Sequence, residues 1–294
     1  MIDQITITSL SERGSIDIIR GDRRGYFLDD VDWGQLSGSH NTYQYYNQVG
    51  ADIVSTVVGT RDISITGFVI EDQDTMETRC QFLNTFISPK EDYELLYKDK
   101  KITFRADSSI TWSREFKYNN QWGRKFLIQG TCGFPLFQGA ENIQQSFDST
   151  VPMFHFPCDF GSDEALVYGT TTETYNIEVD NEGGFDTGLI AEIIFTAAVS
   201  NPKLVNTTTG EYIGVNYTFA RDDVLRIETT SGKKSMILTR GETETNLIRY
   251  RDVGMSWIQL VPGTNQLSLE CSDSTQLGGM TPYVYYTPLY QEVE

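Results

Sequence analysis

The sequence predicts a mainly β protein in two domains, and three observations carry that expectation. Apolar residues recur at every second position in many segments, turn-forming residues separate those segments, and one stretch alone has clear helical spacing. At 294 residues the chain exceeds a typical domain of about 100 to 150 residues, so two domains are the first reading and one large β domain the alternative.

Taken in chain order, Ile5 and Ile7 alternate with Thr6 and Thr8, and Ile63 and Ile65 with Ser64 and Thr66. Ile177 and Val179 alternate with Glu178 and Asp180, and Leu225 and Ile227 with Arg226 and Glu228. Each segment reads as a strand with one buried face. The stretch from Gly14 to Gln48 has Gly, Asp, Arg and the close tyrosines Tyr43, Tyr45 and Tyr46 but little periodicity, and reads as a hairpin arm or a long loop.

The helix is expected from Thr75 to Ser88, where Met76, Cys80, Leu83 and Ile87 form a stripe that Phe82 and Phe86 widen. Asp74 or Thr75 is positioned to cap it, Glu77 suits the positive end of its dipole, and Pro89 forbids continuation. Its polar face carries acids as well as Arg79, which favours packing on a sheet over a membrane.

The first set of strands ends at Phe134-Pro135-Leu136-Phe137, and the polar stretch from Glu141 to Thr150 follows. The expected domains are therefore residues 1–138 and 139–294. In the second, turn signals at Glu182-Gly183-Gly184, Asn201-Pro202, Thr209-Gly210, Ser231-Gly232 and Pro262-Gly263 space the strands as in a sandwich rather than in βαβ units.

With 41 acidic and 23 basic residues the net charge is −18, which argues against nucleic acid as a tightly held ligand, since phosphate contacts need clustered Lys and Arg. A polyanion could still slide past such a surface. The N-terminus lacks a basic and apolar leader, and no run approaches ~18 apolar residues, so neither a cleaved signal nor a membrane span is expected. Cys80, Cys132, Cys158 and Cys271 are isolated and read as reduced, mostly buried thiols.

Catalytic signatures are absent. The two histidines, His40 and His155, have no partner at metal-ligand spacing, and His155 lies in the apolar segment Met153–Cys158, as a core or interface residue would. No nucleophile elbow, phosphate loop or dinucleotide fingerprint occurs, so no catalytic, cofactor-binding or metal residues and no cofactor are expected. A glycosidase needs two carboxylates about 5 to 9.5 Å apart. The pairs Asp29 with Asp30, Glu71 with Asp72 and Asp222 with Asp223 read instead as solvated surface acids. Asp72-Gln73-Asp74 lacks the Gly and distal Glu of a calcium loop. Trp112, Trp122, Tyr43, Tyr45, Tyr46, Tyr283, Tyr285 and Tyr286 offer faces for sugar stacking, though core and interface rows use the same residues.

In order, several segments resemble the distal tail protein family of siphophages. They are Gly59 to Gly67, the helix ending at Pro89, Phe126 to Cys132 with Phe134-Pro135-Leu136-Phe137, and Asn181-Glu182-Gly183-Gly184. The likeness continues through Asn201 to Asn206 with Thr209-Gly210, Leu225 to Thr229, Leu260 to Asn265, and Tyr285 to Tyr290. The resemblance implies an N-terminal split-barrel-like β domain with one helix and a C-terminal galectin-like or jelly-roll β-sandwich. It further implies a homo-oligomer, six copies in a ring, as a non-enzymatic hub of the tail tip or baseplate in the virion. Such a ring joins the tail tube protein to tail-tip and receptor-binding proteins and lets DNA pass without specific binding. It would be assembled in the host cytoplasm, with no membrane anchor.

A ring needs one patch to meet a different patch of its neighbour, and Tyr43, Tyr45 and Tyr46 are candidates for part of that subunit interface. A cell-surface carbohydrate-binding β-sandwich is the alternative reading, and a β-sandwich glycosidase a third.

Overall fold

The structure, a computed structural model, describes residues 3–21, 25–120, 122–146, 148–152, 169–173 and 175–293. It is mainly β, with one α-helix among the described residues. His155 and Cys158 lie outside them. Two compact units emerge, residues 1–140 with 290–294, and residues 141–289. The last five residues, placed with the second domain on sequence, are thus grouped with the first unit.

The first unit contains β1 (Gln4–Ser9), β2 (Ser15–Ile19), β3 (Gly25–Asp32), β4 (Gly38–Tyr43), β5 (Asp52–Val58), β6 (Arg61–Ile70) and α1 (Gln73–Phe86). After the helix come β7 (Asp92–Tyr97), β8 (Lys100–Ala106), β9 (Thr111–Trp112), β10 (Asn119–Asn120), β11 (Gly123–Cys132) and β12 (Phe137–Gly139). Strands β11-β6-β3-β2-β1-β7-β8 follow one another, and β8 pairs back to β11 to close a seven-stranded barrel. Within it only β2 and β3 run parallel. Closure removes the free edges that an open sheet would expose.

The alternating isoleucines point inward: Ile5, Ile7, Ile63 and Ile65 are all buried. Two glycines inside strands make room for rings in this core. A Cβ on Gly67 would lie 2.5 Å from the Phe126 ring, and one on Gly130 2.4 Å from that of Phe104, with strand backbone nearly as close.

The helix begins two residues earlier than expected. Asp72, not Asp74 or Thr75, is the N-cap, and its side chain makes no capping bond; its carbonyl accepts from Thr75 and Met76 instead. Met76, Cys80, Leu83, Phe86 and Ile87 are buried as the stripe requires, but Phe82 is half exposed and stacks on Phe86 with ring centroids 5.8 Å apart. The helix stops at Phe86, since Ile87 is extended and Pro89 disfavours helical backbone at Ser88. Buried Tyr93 on β7 secures this exit: its hydroxyl donates to Phe86 O at 2.7 Å and accepts from Ser88 N at 2.8 Å.

The second unit is a sandwich of antiparallel sheets. It contains β13 (Ile143–Ser146), β14 (Asp148–Pro152), β15 (Gly169–Glu173), β16 (Asn176–Asn181), β17 (Thr187–Phe195), β18 (Val199–Ser200), β19 (Lys203–Asn206) and β20 (Glu211–Gly214). Then follow β21 (Thr218–Phe219), β22 (Val224–Glu228), β23 (Ser235–Arg240), β24 (Thr243–Asn246), β25 (Gln259–Leu260), β26 (Gly263–Glu270) and β27 (Met280–Tyr286). One sheet has the order β13-β27-β17-β22-β23-β24 and the other β16-β26-β19-β20. Leu189, Ile193, Leu225, Ile227 and Val284 from the first meet Val179, Leu204, Ile213, Leu267 and Leu269 from the second in one core. The polar stretch after residue 140 is not merely connecting chain, because β13 pairs with β27 from Ile143↔Tyr286 to Ser146↔Tyr283.

Three fully buried asparagines organise one set of turns in this sandwich. Asn265 donates to Val261 O and Gly263 O and accepts from Val261 N. Asn206 donates to Asn265 Oδ1 and Gln259 O, while its own Oδ1 accepts from Thr208 N. Asn181 donates to Leu260 O and Phe185 O and accepts from Gly183 N. Each asparagine comes from a different sequence motif, and all three converge on the segment from Gln259 to Gly263. Burying an amide side chain is tolerable only when its donors and acceptor are used, as they are here.

Candidate functional site

The three candidate tyrosines stand at the end of a two-stranded arm formed by β4 and β5. The strands pair from Gly38↔Val58 to Tyr43↔Asp52, with a bulge between Asn41 and Thr42, and neither pairs with any other described strand. All thirteen residues of the two strands are exposed.

The arm is nevertheless ordered by local bonds. At its root Gly59 N donates to Ser37 O at 2.9 Å, and Gly34, at φ +64°, comes so close to Asp62 O that a Cβ would sit 1.9 Å from it. Along the strands His40 pairs with Thr56, and Asn41 with Ser55, both at 2.9 Å. Near the tip Gln48 accepts from Tyr45 N and donates to Asp52, and Gln44 donates to Gln48 O. The Tyr43 and Tyr45 rings meet edge to face at 4.7 Å, whereas Tyr46 is 96% exposed.

The return strand supplies residues that sequence reasoning missed. Ile53, Val54, Val57 and Val58 are all exposed, and as sequence neighbours Ile53 with Val54, and Val57 with Val58, present apolar groups on both faces of the ribbon. The signal was legible: adjacent β-branched residues break period-two alternation, and so leave no polar face to turn to water. A two-stranded hairpin is marginal by itself in water, so an arm that spends its β-branched residues on solvent is suited to burial against a second surface.

Chemistry elsewhere is quiet. Lys125 pairs with Asp29 and Arg79 with Glu71, each at 2.8 Å. Two acids read from sequence as solvated are not: of Asp222 and Asp223 only Asp222 is exposed, and the Glu71 side chain is largely covered in its pair with Arg79. Asp223 is buried, and two bonds from Arg240, at 2.6 and 2.7 Å, hold its carboxyl below the usual range. That arrangement stabilises a charge rather than preparing a proton transfer. Burial pushes the Cys132 thiol up to about 12, which makes it a poor nucleophile. Cys80, Cys132 and Cys271 are free thiols, and no group of three or more potential metal ligands occurs among the described residues.

The proposed sugar-stacking residues have separate roles. Trp112 packs on Phe126 and bonds Asn84, and Tyr286 is buried with its hydroxyl donating to Asp180 O, while Trp122 is exposed. No helix among the described residues is long and apolar enough to cross a membrane.

Residues 21–127 match the model of the phage tail protein RIFT-related domain, and residues 182–289 that of the Siphovirus-type tail component, C-terminal domain. Among solved structures, the chain is similar to the distal tail protein of phage SPP1, described as a paradigm of hub adsorption apparatus in phages infecting Gram-positive bacteria. The TM-score is 0.65 at 13% identity, over 97% of this chain and 98% of that one. A chain of the phage P2 baseplate in its activated conformation with calcium gives a TM-score of 0.49 at 12% identity, covering 98% of each chain. No curated protein matches the sequence. The barrel and the sandwich are thus each matched by a tail-protein domain, in the order the sequence motifs suggested, and the chain belongs to the distal tail protein family of siphophages.

Proposed function

We propose that this protein closes into a homo-oligomeric ring, six copies by family resemblance, that joins the tail tube to the tail-tip and receptor-binding proteins and catalyses no reaction. The observation that carries this reading is the arm. Its apolar residues face solvent on both sides and at the tip, and a neighbouring copy would cover them. The arm of each copy reaches onto a different patch of the next, which is the heterologous contact a closed ring requires. DNA passes through the ring without specific binding, because a chain of net charge −18 repels phosphate rather than holding it.

Light scattering with negative-stain imaging tests the proposal. The purified chain, alone or with its tail tube and tail-tip partners, is expected to form rings whose mass is a multiple of the 33.3 kDa protomer. Replacing Tyr43, Tyr45 and Tyr46 together by Ser should abolish closure and leave the fold intact. A chain that stays monomeric with all its partners present, and binds a glycan, would put the carbohydrate module in place of the hub.

A further inference from the structure

Arg61 opens β6 directly after the return strand of the arm and is 2% exposed. A guanidinium carries five donors, yet the bond made here is Nη2 to Gln291 O, at 2.7 Å. The buried Nε has no partner, and the guanidinium carbon lies 4.8 Å over the Phe137 ring. None of the ion pairs among the described residues includes it. Burial lowers its pKa and the Glu292 carboxylate, beyond ion-pair distance, acts the other way; a guanidinium keeps its proton at any physiological pH, so its charge is met only at a distance within the chain.

Beside it opens a cleft of about 540 Å³, lined by Trp33, Leu36, Tyr97, Phe137 and Glu292. The Trp33 ring contacts those of Tyr97 and Phe137 at 5.8 and 5.6 Å. This size, with aromatic rings on one side and the guanidinium on the other, suits a small polar ligand group, and the partial shielding from water strengthens a charge pair formed inside.

We propose that the cleft is a socket for a carboxylate, supplied by an Asp or Glu side chain of a neighbouring copy of this chain. This rests on the oligomeric reading above. The socket lies at the root of the arm, between its outgoing residues Gly34 to Leu36 and its return at Arg61, so it is continuous with the proposed contact. A neighbouring copy presents carboxylates in surplus, 41 acidic against 23 basic residues, to a cation that makes no ion pair among the described residues and has only the more distant Glu292 near it. The carboxylate accepts from the free Nη donors in the bidentate manner that guanidinium geometry favours.

The test uses the full chain and Arg61→Met, which removes the charge but keeps the length of the side chain. Self-association is measured by light scattering across concentration, and folding by thermal melting in acetate against chloride at equal ionic strength. The variant is expected to associate at least about tenfold more weakly, since losing one partner of a buried charge pair acts on dissociation. Acetate should raise the melting temperature of the unassembled wild type and not that of the variant. Unchanged association overturns the neighbour as the source, and an acetate shift that survives then assigns the cleft to a free small carboxylate. If the wild type never associates but shows the Arg61-dependent shift, the ring reading fails while the carboxylate chemistry stands. No acetate effect on the wild type overturns the socket, even if Arg61→Met does not fold. An acetate shift that appears only in Glu292→Gln shows that Arg61 is already served within the chain, and overturns it too.

Discussion

The arm and the asparagine-bound turns are both excursions from a sheet, yet they solve opposite problems. Around Gln259 to Gly263 the polar groups face inward, and each of the three asparagine amides is used on both sides. On the arm the polar groups are satisfied locally, while the apolar ones, Ile53, Val54, Val57 and Val58, are left to solvent. The first arrangement is complete within one chain. The second is not, and the difference teaches where to look for a partner: not at missing hydrogen bonds alone but at apolar area that the chain cannot cover.

Substitution of Asn265 by Ala would break this contrast most forcefully, because it removes the side-chain partner of Val261 O, Gly263 O and Val261 N and one of the three bonds of Asn206. A loss of about 3 kcal/mol is expected at one to three per unsatisfied buried group after relaxation, measured by urea unfolding. A loss under about 0.5 kcal/mol would mean that water replaces the side chain and that the turns are less closed than the arm contrast supposes.

In the barrel, Gly130→Ala forces a methyl against Phe104 and should cost about 1 to 3 kcal/mol. Gly50→Ala, at the arm with open space around it, pays only for its backbone at φ +87°, about 1 kcal/mol. Equal losses at the two sites would show that Phe104 and the neighbouring strand give way around the new methyl at little cost.

Acid titration sharpens the comparison from the side of charge. Asp223 has a folded pKa below its unfolded value of about 3.9, so the Arg240 bond contributes stability that is fully present above that value. It is lost as pH falls through the folded pKa. Asp223→Asn should therefore be less stable than wild type near pH 7 by about 1 to 2 kcal/mol, and the gap should close in strong acid. A gap that persists there would trace the loss to packing instead.

The smallest expected effect on stability is in the arm. Ile53→Thr with Val57→Thr should change the unfolding free energy of the single chain by no more than about 0.5 kcal/mol, as for other exposed positions, while reducing ring yield. A large destabilisation of the unassembled chain would mean that the arm packs on its own protomer. Limited proteolysis adds to this: cleavage of free chain near Asn47 to Gly50 should disappear in the assembly. Independent folding of residues 1–138 and 139–294 remains a proposal that the same digest tests. Val293 and Tyr290 pack into the first unit's core, so removing residues 290–294 should weaken that unit by about 2 kcal/mol.

Much of the architecture was legible because buried faces impose periodicity. Alternation at Ile5 and Ile7, at Ile63 and Ile65 and at Leu225 and Ile227 marked strands, and a stripe at Met76, Cys80, Leu83 and Ile87 marked the helix. The tyrosines of the arm were legible as surface chemistry, whereas their strand partners show only as the broken alternation of Ile53-Val54 and Val57-Val58, since a segment with two exposed faces has no period to display. Sequence also held the three asparagine motifs in order.

What sequence alone determined was the class of fold, the family likeness and the absence of catalytic signatures, because these depend on local pattern and residue type. Only the tertiary structure decided which distant residues share a site. It joined Asn181, Asn206 and Asn265 on one segment, paired Asp223 with Arg240, and enclosed Arg61 between the arm root and Gln291, 230 positions away in the chain. Burial and pairing are properties of three-dimensional neighbours, and the sequence spacing of a residue says nothing about which charge or amide the fold will bring beside it.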